Sequence, residues 1–136
     1  MNIKKQITVC KKDGEIKIYP ESKNEIGLWI AHPPCLVASA NDVHNIESMI
    51  NKALQYSNSG VSVTEDTTKN VLKEMHIKSW NILYKSHKII SYSIAEGKII
   101  VTPFVYTNKG VFPDTKAKKI FDIDDCYNAI GLLLKL

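Results

Sequence analysis

The sequence predicts a single α+β domain, in which an antiparallel sheet packs with about three helices. Three observations support this fold class: an early hairpin of alternating residues, a later run of closely connected apolar strands, and segments whose apolar residues recur every three or four positions. The chain has 136 residues, 44% of them apolar and 24% charged, which fits one globular domain over residues 1–136. It contains no internal repeat and no low-complexity linker.

The first predicted element is an N-terminal hairpin. Its strands are the alternating segments Gln6 to Lys11 and Glu15 to Tyr19. Asp13-Gly14 joins them, a pair that is typical of tight turns between antiparallel strands. A loop is expected over residues 20–25. Two short apolar strands follow this loop, at residues 28–31 and 35–38.

Helical periodicity begins after Asn41-Asp42, which can cap a helix. The apolar residues of this first helix are Val43, Ile46, Met49, Ile50, Ala53 and Leu54. A shorter helix is expected from Asp66 or Thr67 to His76. The acidic run at residues 122–125 is expected to cap a final helix. Its predicted core residues are Tyr127, Ile130, Leu133 and Leu134.

Three central strands are predicted between the second and the final helix, at residues 79–85, 88–95 and 98–106. Ser86-His87 and Glu96-Gly97 leave room only for short connections, so these strands should form an antiparallel meander. A loop over residues 109–114 and an edge strand over residues 116–121 complete the predicted sheet.

The basic residues favour one alternative function, a lysine-rich nucleic-acid-binding domain. All 18 of them are lysine, the formal net charge is +4, and most of the excess lies in residues 69–136. In that half the lysines alternate with aromatic residues that could stack on bases, namely Trp80, Tyr84, Tyr92, Phe104 and Tyr106. The absence of arginine weakens this interpretation, because arginine supplies the bidentate contacts of specific recognition. An ordinary sheet with a lysine-bearing solvent face explains the pattern more simply.

No residue pattern predicts catalysis, a cofactor or a metal site. The chain has four histidines, at positions 32, 44, 76 and 87. His44 shares a helix face with Glu47, but no second histidine stands four residues further on. Lys78 and Ser79 would point to opposite sides of the predicted strand and could not act together. We therefore expect a protein that is not an enzyme.

Targeting features are also lacking. No apolar run reaches the length of a membrane helix, and the N-terminal segment is interrupted by lysines before a signal core develops. Three cysteines stand far apart in the sequence, at positions 10, 35 and 126, and are best explained as reduced, small apolar side chains. These features predict a cytoplasmic protein.

Residues 14–136 also carry a set of short motifs: the 43–54 helix followed by Ser57-Asn58-Ser59-Gly60, Lys78-Ser79-Trp80, the turn Glu96-Gly97, Lys98-Ile99-Ile100-Val101 with Pro103, and a closing apolar helix around Gly131. In this combination the sequence resembles the immunity proteins of bacterial contact-dependent growth-inhibition systems. The resemblance implies a small cytoplasmic antidote without turnover of its own. Its partner would be the C-terminal toxin domain of the effector, commonly a nuclease, whose active site it would cover.

The resemblance leads us to predict two toxin-binding patches. The first consists of carboxylates for toxin lysines and an aromatic anchor: Glu21, Glu25, Trp29, Glu65 and Asp66. The second surrounds the last sheet loop and consists of Tyr106, Phe112 and Asp114. In the simpler interpretation Trp29 belongs to the core and the carboxylates are ordinary surface groups. The positive net charge differs from acidic nuclease antidotes, whose carboxylates complement a basic cleft.

Overall fold

A computed structural model describes residues 2–60 and 62–136, and it confirms the predicted α+β class. Eight strands are described: β1 (Lys5–Lys12), β2 (Glu15–Lys23), β3 (Trp29–Ala31), β4 (Leu36–Ser39), β5 (Lys88–Ala95), β6 (Lys98–Thr107), β7 (Gly110–Pro113) and β8 (Lys119–Asp122). They pair antiparallel in the order β3-β2-β1-β5-β6-β7, while β4 also pairs with β2 and β8 with β6. The sheet is curled, and β2 and β6 each pair with two short strands, β3 and β4 in the first case and β7 and β8 in the second.

Four helices pack on this sheet: α1 (Val43–Tyr56), α2 (Glu65–Met75), α3 (Trp80–Ser86) and α4 (Cys126–Lys135), the last preceded by a 3-10 turn at Ile123–Asp125. The Asp42 carboxylate caps α1 by accepting a hydrogen bond from the Asn45 N–H at 3.1 Å. The acidic run lies at the N-terminal end of α4, as expected, but neither Asp122 nor Asp125 accepts a capping hydrogen bond, and the Asp125 side chain accepts one from the Asn128 side-chain amide instead. Within residues 2–60 and 62–136, the helices are all too short or too polar to cross a bilayer.

The strand predicted for residues 79–85 is wrong, because this segment forms α3. The Ser79 hydroxyl accepts a hydrogen bond from the Ile82 N–H at 3.2 Å and so begins a helix. Leu83 alone is fully buried in this helix, while Ile82 is 46% exposed. The apolar and aromatic residues of this segment therefore belong to a short helix and not to a strand of the sheet. Lys78 and Ser79 precede this helix, so they do not lie on opposite faces of a strand.

Three further expectations are corrected. β2 continues to Lys23, so Glu21 lies on a strand instead of in the expected 20–25 loop. The expected 109–114 loop contains β7, which pairs with the end of β6. Tyr127 is not a core residue of the final helix, since it is 79% exposed. The hairpin prediction is confirmed: Asp13 and Gly14 have φ values of 49° and 78°, the left-handed conformations that such tight turns use.

The two faces of the sheet carry different clusters. Because side chains alternate along a strand, Ile7 and Val9 of β1 pack under α1 and α4 with other apolar residues of the sheet. Cys10 of β1 packs on the opposite face, where α2 and α3 contribute Val71 and Leu83. Polar residues continue this second face beyond the helices. They are Gln6, Thr8, Glu21, Ser91 and Ser93.

Ser57, the residue after α1, joins this helix to the sheet. Its hydroxyl accepts a hydrogen bond from the Gln6 N–H at 2.9 Å and donates one to the Glu21 carbonyl at 2.6 Å. Gln6 and Glu21 are opposite each other in the β1–β2 pair. The Ser57 hydroxyl therefore bridges the backbones of two residues that are paired in neighbouring strands. It also fixes the backbone of Glu21, whose side chain reaches the polar part of the second face.

Candidate functional site

The loop between β2 and β3, residues 24–28, presents apolar side chains to solvent. Ile26 is 78% exposed and Leu28 is 55% exposed. The loop is nevertheless fixed by Asn24, whose side-chain oxygen accepts hydrogen bonds from the Ile26 and Leu28 N–H groups at 3.1 and 2.9 Å. The Asn24 N–H also donates to the Leu28 carbonyl at 2.9 Å. Gly27, with φ of 85°, supplies the left-handed residue that this turn requires.

Predicted contact residues surround this loop. Trp29 is half-buried at the start of β3, and the Lys23 ammonium lies 5.3 Å from its ring centroid. Glu25 is exposed and shares a groove with Thr64, the residue that caps α2. Glu65 and Asp66 follow in the exposed first turn of α2, and Glu65 shares a second groove with β3. The structure thus gathers these four predicted residues at one edge of the sheet.

Sequence reasoning missed Ile26 and Leu28, the most accessible apolar groups of this edge. They lie beside predicted residues and are more exposed than Trp29. The signal that could have identified them is the pair of turn residues Asn24 and Gly27, with Ile26 and Leu28 on either side of the glycine, which indicates a tight turn with an apolar tip. We refer to Glu25, Ile26, Leu28 and Trp29 as the loop surface.

Glu21 does not belong to the loop surface. Its side chain lies on the second face of the sheet, in a cleft of about 140 Å³ that Thr8, Tyr84 and Phe104 also line. One carboxylate oxygen, Oε1, accepts hydrogen bonds from the Thr8 hydroxyl at 2.6 Å and from the Gln6 amide at 3.3 Å. Among the hydrogen bonds of the described residues, the other oxygen, Oε2, has no partner. The cleft therefore holds a carboxylate with one free acceptor.

Burial raises the pKa of Glu21 above its ordinary value, and the hydrogen bonds from Thr8 and Gln6 oppose this increase only in part. No lysine of the described residues forms an ion pair with it. Tyr19 and Tyr84 are the nearest titratable groups lining the cleft. Burial raises the pKa of both phenols, so they remain neutral near pH 7. Ionised Glu21 therefore lacks a compensating charge.

Replacement of Glu21 by glutamine should stabilise the chain near neutral pH. Because folding raises the pKa of Glu21, stability falls as the pH rises from the unfolded value, near 4.5, through the higher folded value. Glu21→Gln removes this loss and should raise Tm at pH 7 by about 4 °C, for a gain on the order of 1 kcal/mol. Thermal unfolding between about pH 3.5 and 8 tests this. The difference in Tm between the variant and the unaltered chain should vanish at the acid end. The Tm difference caused by Glu15→Gln, at an exposed position, should not show this dependence on pH. A pH-independent difference would contradict the expectation.

The second predicted patch is divided by the β6–β7 hairpin. Phe112 pairs with Val105 on one side of the hairpin, and both are about half exposed, at 51% and 46%. Tyr106 pairs with Val111, so its side chain points to the other side, where its hydroxyl donates to Asn81 at 3.0 Å. Tyr106 and Phe112 therefore cannot contact one flat surface together.

Asp114 has a structural role in the turn after β7. Its carboxylate accepts a hydrogen bond from the Ala117 N–H at 3.3 Å, and its own N–H donates to the Pro103 carbonyl at 2.8 Å. Tyr106 lines a pocket that adjoins the Glu21 cleft. Tyr84 and Val111 line both the cleft and this pocket. The structure thus places Glu25 and Trp29 on the loop surface, with Glu65 and Asp66 beside it, and Glu21 in a separate cleft. Phe112 and Asp114 belong to neither group.

The buried histidine His32 forms a structural hydrogen-bond chain. Its Nδ1–H donates to the Pro33 carbonyl at 2.8 Å, which leaves Nε2 to accept from the Ser22 hydroxyl at 2.7 Å. The Ser22 oxygen in turn accepts from the Asn58 N–H at 2.8 Å. Burial lowers the pKa of His32 and keeps it neutral. Ser22 and His32 are 1% exposed, so a substrate could not reach this pair.

Metal ligands are not clustered in residues 2–60 and 62–136, where no group of three or more His, Cys, Asp or Glu side chains could hold an ion. The aromatic residues of the lysine-rich half do not form one platform either. Tyr92 is buried under α1 and α4, whereas Trp80 and Tyr84 stack on each other at 6.0 Å on the opposite face. Lys12, Lys17 and Lys78 line an open groove, but acidic residues line it as well.

The sequence matches no protein-family model and no curated protein. Its fold is similar to a solved structure described as a protein of unknown function, NMB0488, from Neisseria meningitidis. The match covers 99% of this chain and 96% of the other, with a TM-score of 0.69 and 13% sequence identity. At this identity the similarity concerns the fold alone.

Proposed function

We propose that the chain is an immunity protein that binds and neutralises the toxin domain of a contact-dependent growth-inhibition effector. It would act as a cytoplasmic inhibitor that covers the toxin active site, without catalysing a reaction. The observation that carries this proposal is the loop surface, in which Ile26 and Leu28 project from a loop fixed by Asn24. The sequence resemblance supplies the class of partner.

The loop surface has the properties of a protein contact. Apolar side chains that are exposed in the free chain gain free energy when a partner buries them, and a rigid loop loses little conformational entropy on binding. Trp29 extends the apolar tip, and Glu25 and Glu65 supply carboxylates at its margin. This arrangement suits a partner with an apolar pocket bordered by lysine or arginine, as expected for a nuclease cleft.

The direct test is binding between the purified chain and the C-terminal toxin domain of the effector that we propose as its partner. We expect a 1:1 complex with nanomolar Kd, measured by calorimetry, and an interface of about 1,600 Å². Toxin activity in vitro should fall in proportion to complex formation. Cells that express the chain should survive the toxin, whereas cells that carry an empty vector should not.

The nucleic-acid alternative predicts a different dependence on salt. Binding through several phosphates weakens steeply between about 50 and 200 mM salt, whereas a packed protein interface changes little. Titration of fluorescent RNA and DNA oligonucleotides at both concentrations separates the two functions. Tight, strongly salt-dependent binding of an oligonucleotide without binding of the toxin domain would overturn the proposal.

A further inference from the structure

We infer that the Glu21 cleft binds a primary ammonium group, supplied either by a lysine side chain of a partner or by a free alkylamine. The cleft lies on the second face of the sheet, between Thr8, Ser91 and Tyr84, and has a volume of about 140 Å³. Sites for nucleotides and other large ligands are several times larger. The cleft accommodates a small head group and its first methylene groups.

A chain of hydrogen bonds runs from Ser91 through Ser93 and Gln6 to Glu21, and it leaves acceptors free on its first and last residues. The Ser93 hydroxyl donates to the Gln6 side-chain oxygen at 2.8 Å, so the hydroxyl contact between Ser91 and Ser93, at 3.3 Å, requires Ser91 as the donor. The Gln6 amide then donates to Glu21 Oε1. All donors of this chain point toward the carboxylate, and Ser91 Oγ and Glu21 Oε2 keep lone pairs available.

This pattern favours an ammonium group over a guanidinium group. A guanidinium binds a carboxylate best through both oxygens, but Thr8 and Gln6 already occupy Oε1 of Glu21. An ammonium has three diverging N–H donors, so it can bind through the one free oxygen, Oε2, and keep two donors for other acceptors of the cleft lining. A neutral alcohol would leave the ionised carboxylate without a compensating charge.

Aromatic side chains form part of the remaining wall, together with the aliphatic residues Ile89 and Val111. Tyr84 and Phe104 line the cleft beside Glu21. Tyr84 is held by stacking on Trp80 at 6.0 Å, and Trp80 in turn contacts the edge of Tyr19 at 5.8 Å. Aromatic rings beside a carboxylate attract alkylammonium ions through both electrostatics and burial of methylene groups. The wall therefore has the composition of a cation site and is fixed in position.

The site is tested without any protein partner, by NMR titration of the isotopically labelled chain with two ammonium probes. These are butylammonium chloride, which represents a free amine, and Nα-acetyl-lysine N-methylamide, which represents a protein side chain. We expect saturable shifts at the amides of Thr8, Glu21 and Ser91, with Kd of about 1–5 mM, the range for so small a ligand. The norleucine and arginine analogues should bind at least fivefold more weakly. Equal binding of the neutral norleucine analogue, or no saturable shift, would overturn the inference.

Two further measurements examine the role of the carboxylate. Glu21→Gln should weaken butylammonium binding at least tenfold, whereas Glu15→Gln on the exposed end of the same strand should leave it unchanged. In the unaltered chain, saturating butylammonium should lower the Glu21 pKa that is read from its side-chain carboxyl resonance, because a bound cation favours the ionised form. Undiminished binding by the Glu21 variant, or an unchanged carboxyl titration, would contradict an ammonium site here.

The two probes also separate the two sources. Threefold tighter binding of the lysine amide favours a partner side chain, and the reverse order favours a free amine; both orders support the ammonium site. The first case deepens the proposed function and rests on it. The ammonium site and the proposed function can fail independently. Probe binding is measured without toxin, and the toxin interface is tested with variants of the loop surface.

Discussion

The double variant Ile26→Ser, Leu28→Ser should lose at least 100-fold in affinity for the toxin domain. Each side chain is largely exposed in the free chain, and its full burial in a complex contributes about 1.5–3 kcal/mol. Loss of both amounts to about 3 kcal/mol or more, which corresponds to a factor above 100 in Kd. Serine is chosen because it removes apolar area without adding a charge. Calorimetric titration of the toxin domain measures the change.

A matched control is provided by the opposite edge of the sheet. Ile120 on β8 and Ile123 in the following turn are 47% and 43% exposed, so Ile120→Ser, Ile123→Ser removes a similar exposed apolar group. This control should bind the toxin domain with unchanged affinity. Both double variants should keep Tm within about 4 °C, since substitutions of exposed side chains rarely change stability by more than about 0.5 kcal/mol each. Equal affinities of the two variants would remove the loop surface from the interface.

Ser57→Ala removes a single oxygen atom and should nevertheless cause a large loss of stability. The hydroxyl is completely buried and serves both the Gln6 N–H and the Glu21 carbonyl. Alanine leaves the backbone donor and acceptor without partners, at a cost of about 2 kcal/mol. In a chain of this length, Tm should fall by about 8 °C. Hydrogen exchange at the Gln6 amide should accelerate at least tenfold, which reports the broken contact directly.

Ser59→Ala is the control for this prediction. Its hydroxyl is exposed and donates to the Tyr56 carbonyl at 2.9 Å, so removal should cost less than about 0.5 kcal/mol. If Ser57→Ala and Ser59→Ala lower Tm equally, or if Gln6 exchange is unaffected, then the hydroxyl of Ser57 does not support the β1–β2 ladder.

The sequence predicted those elements whose signals are local. Asp13-Gly14 specified the hairpin turn, and the three- and four-residue spacing from Val43 specified α1, whose cap is Asp42. The strand prediction for residues 79–85 was wrong because the contacts that decide the structure of this segment are not local. Its aromatic and β-branched residues favour a strand, but the Ser79 cap and the packing of Leu83 with residues of α2 and the sheet favour a helix. Tertiary packing outweighs local preference in so short an element.

The candidate site was predictable only in part. Glu25, Trp29 and Glu65 were found because carboxylates near an aromatic residue are visible in the sequence. Glu21 was assigned to the same patch, but strand alternation turns it to the second face of the sheet. Its cleft depends on β1 and β5 being neighbours in the sheet, and on α3 placing Tyr84 in the cleft lining. No local pattern contains those long-range relations.

The hydrogen bonds of the β2–β3 loop also bear on how this chain can change. Its shape depends on Asn24 and Gly27, whereas the side chains of residues 26 and 28 make no contribution to the hydrogen bonds that define the turn. Residues 26 and 28 are thus free to diversify while the scaffold stays intact. A library randomised at these two positions should therefore consist mostly of folded proteins, because the hydrogen bonds that define the turn come from Asn24 and the backbone.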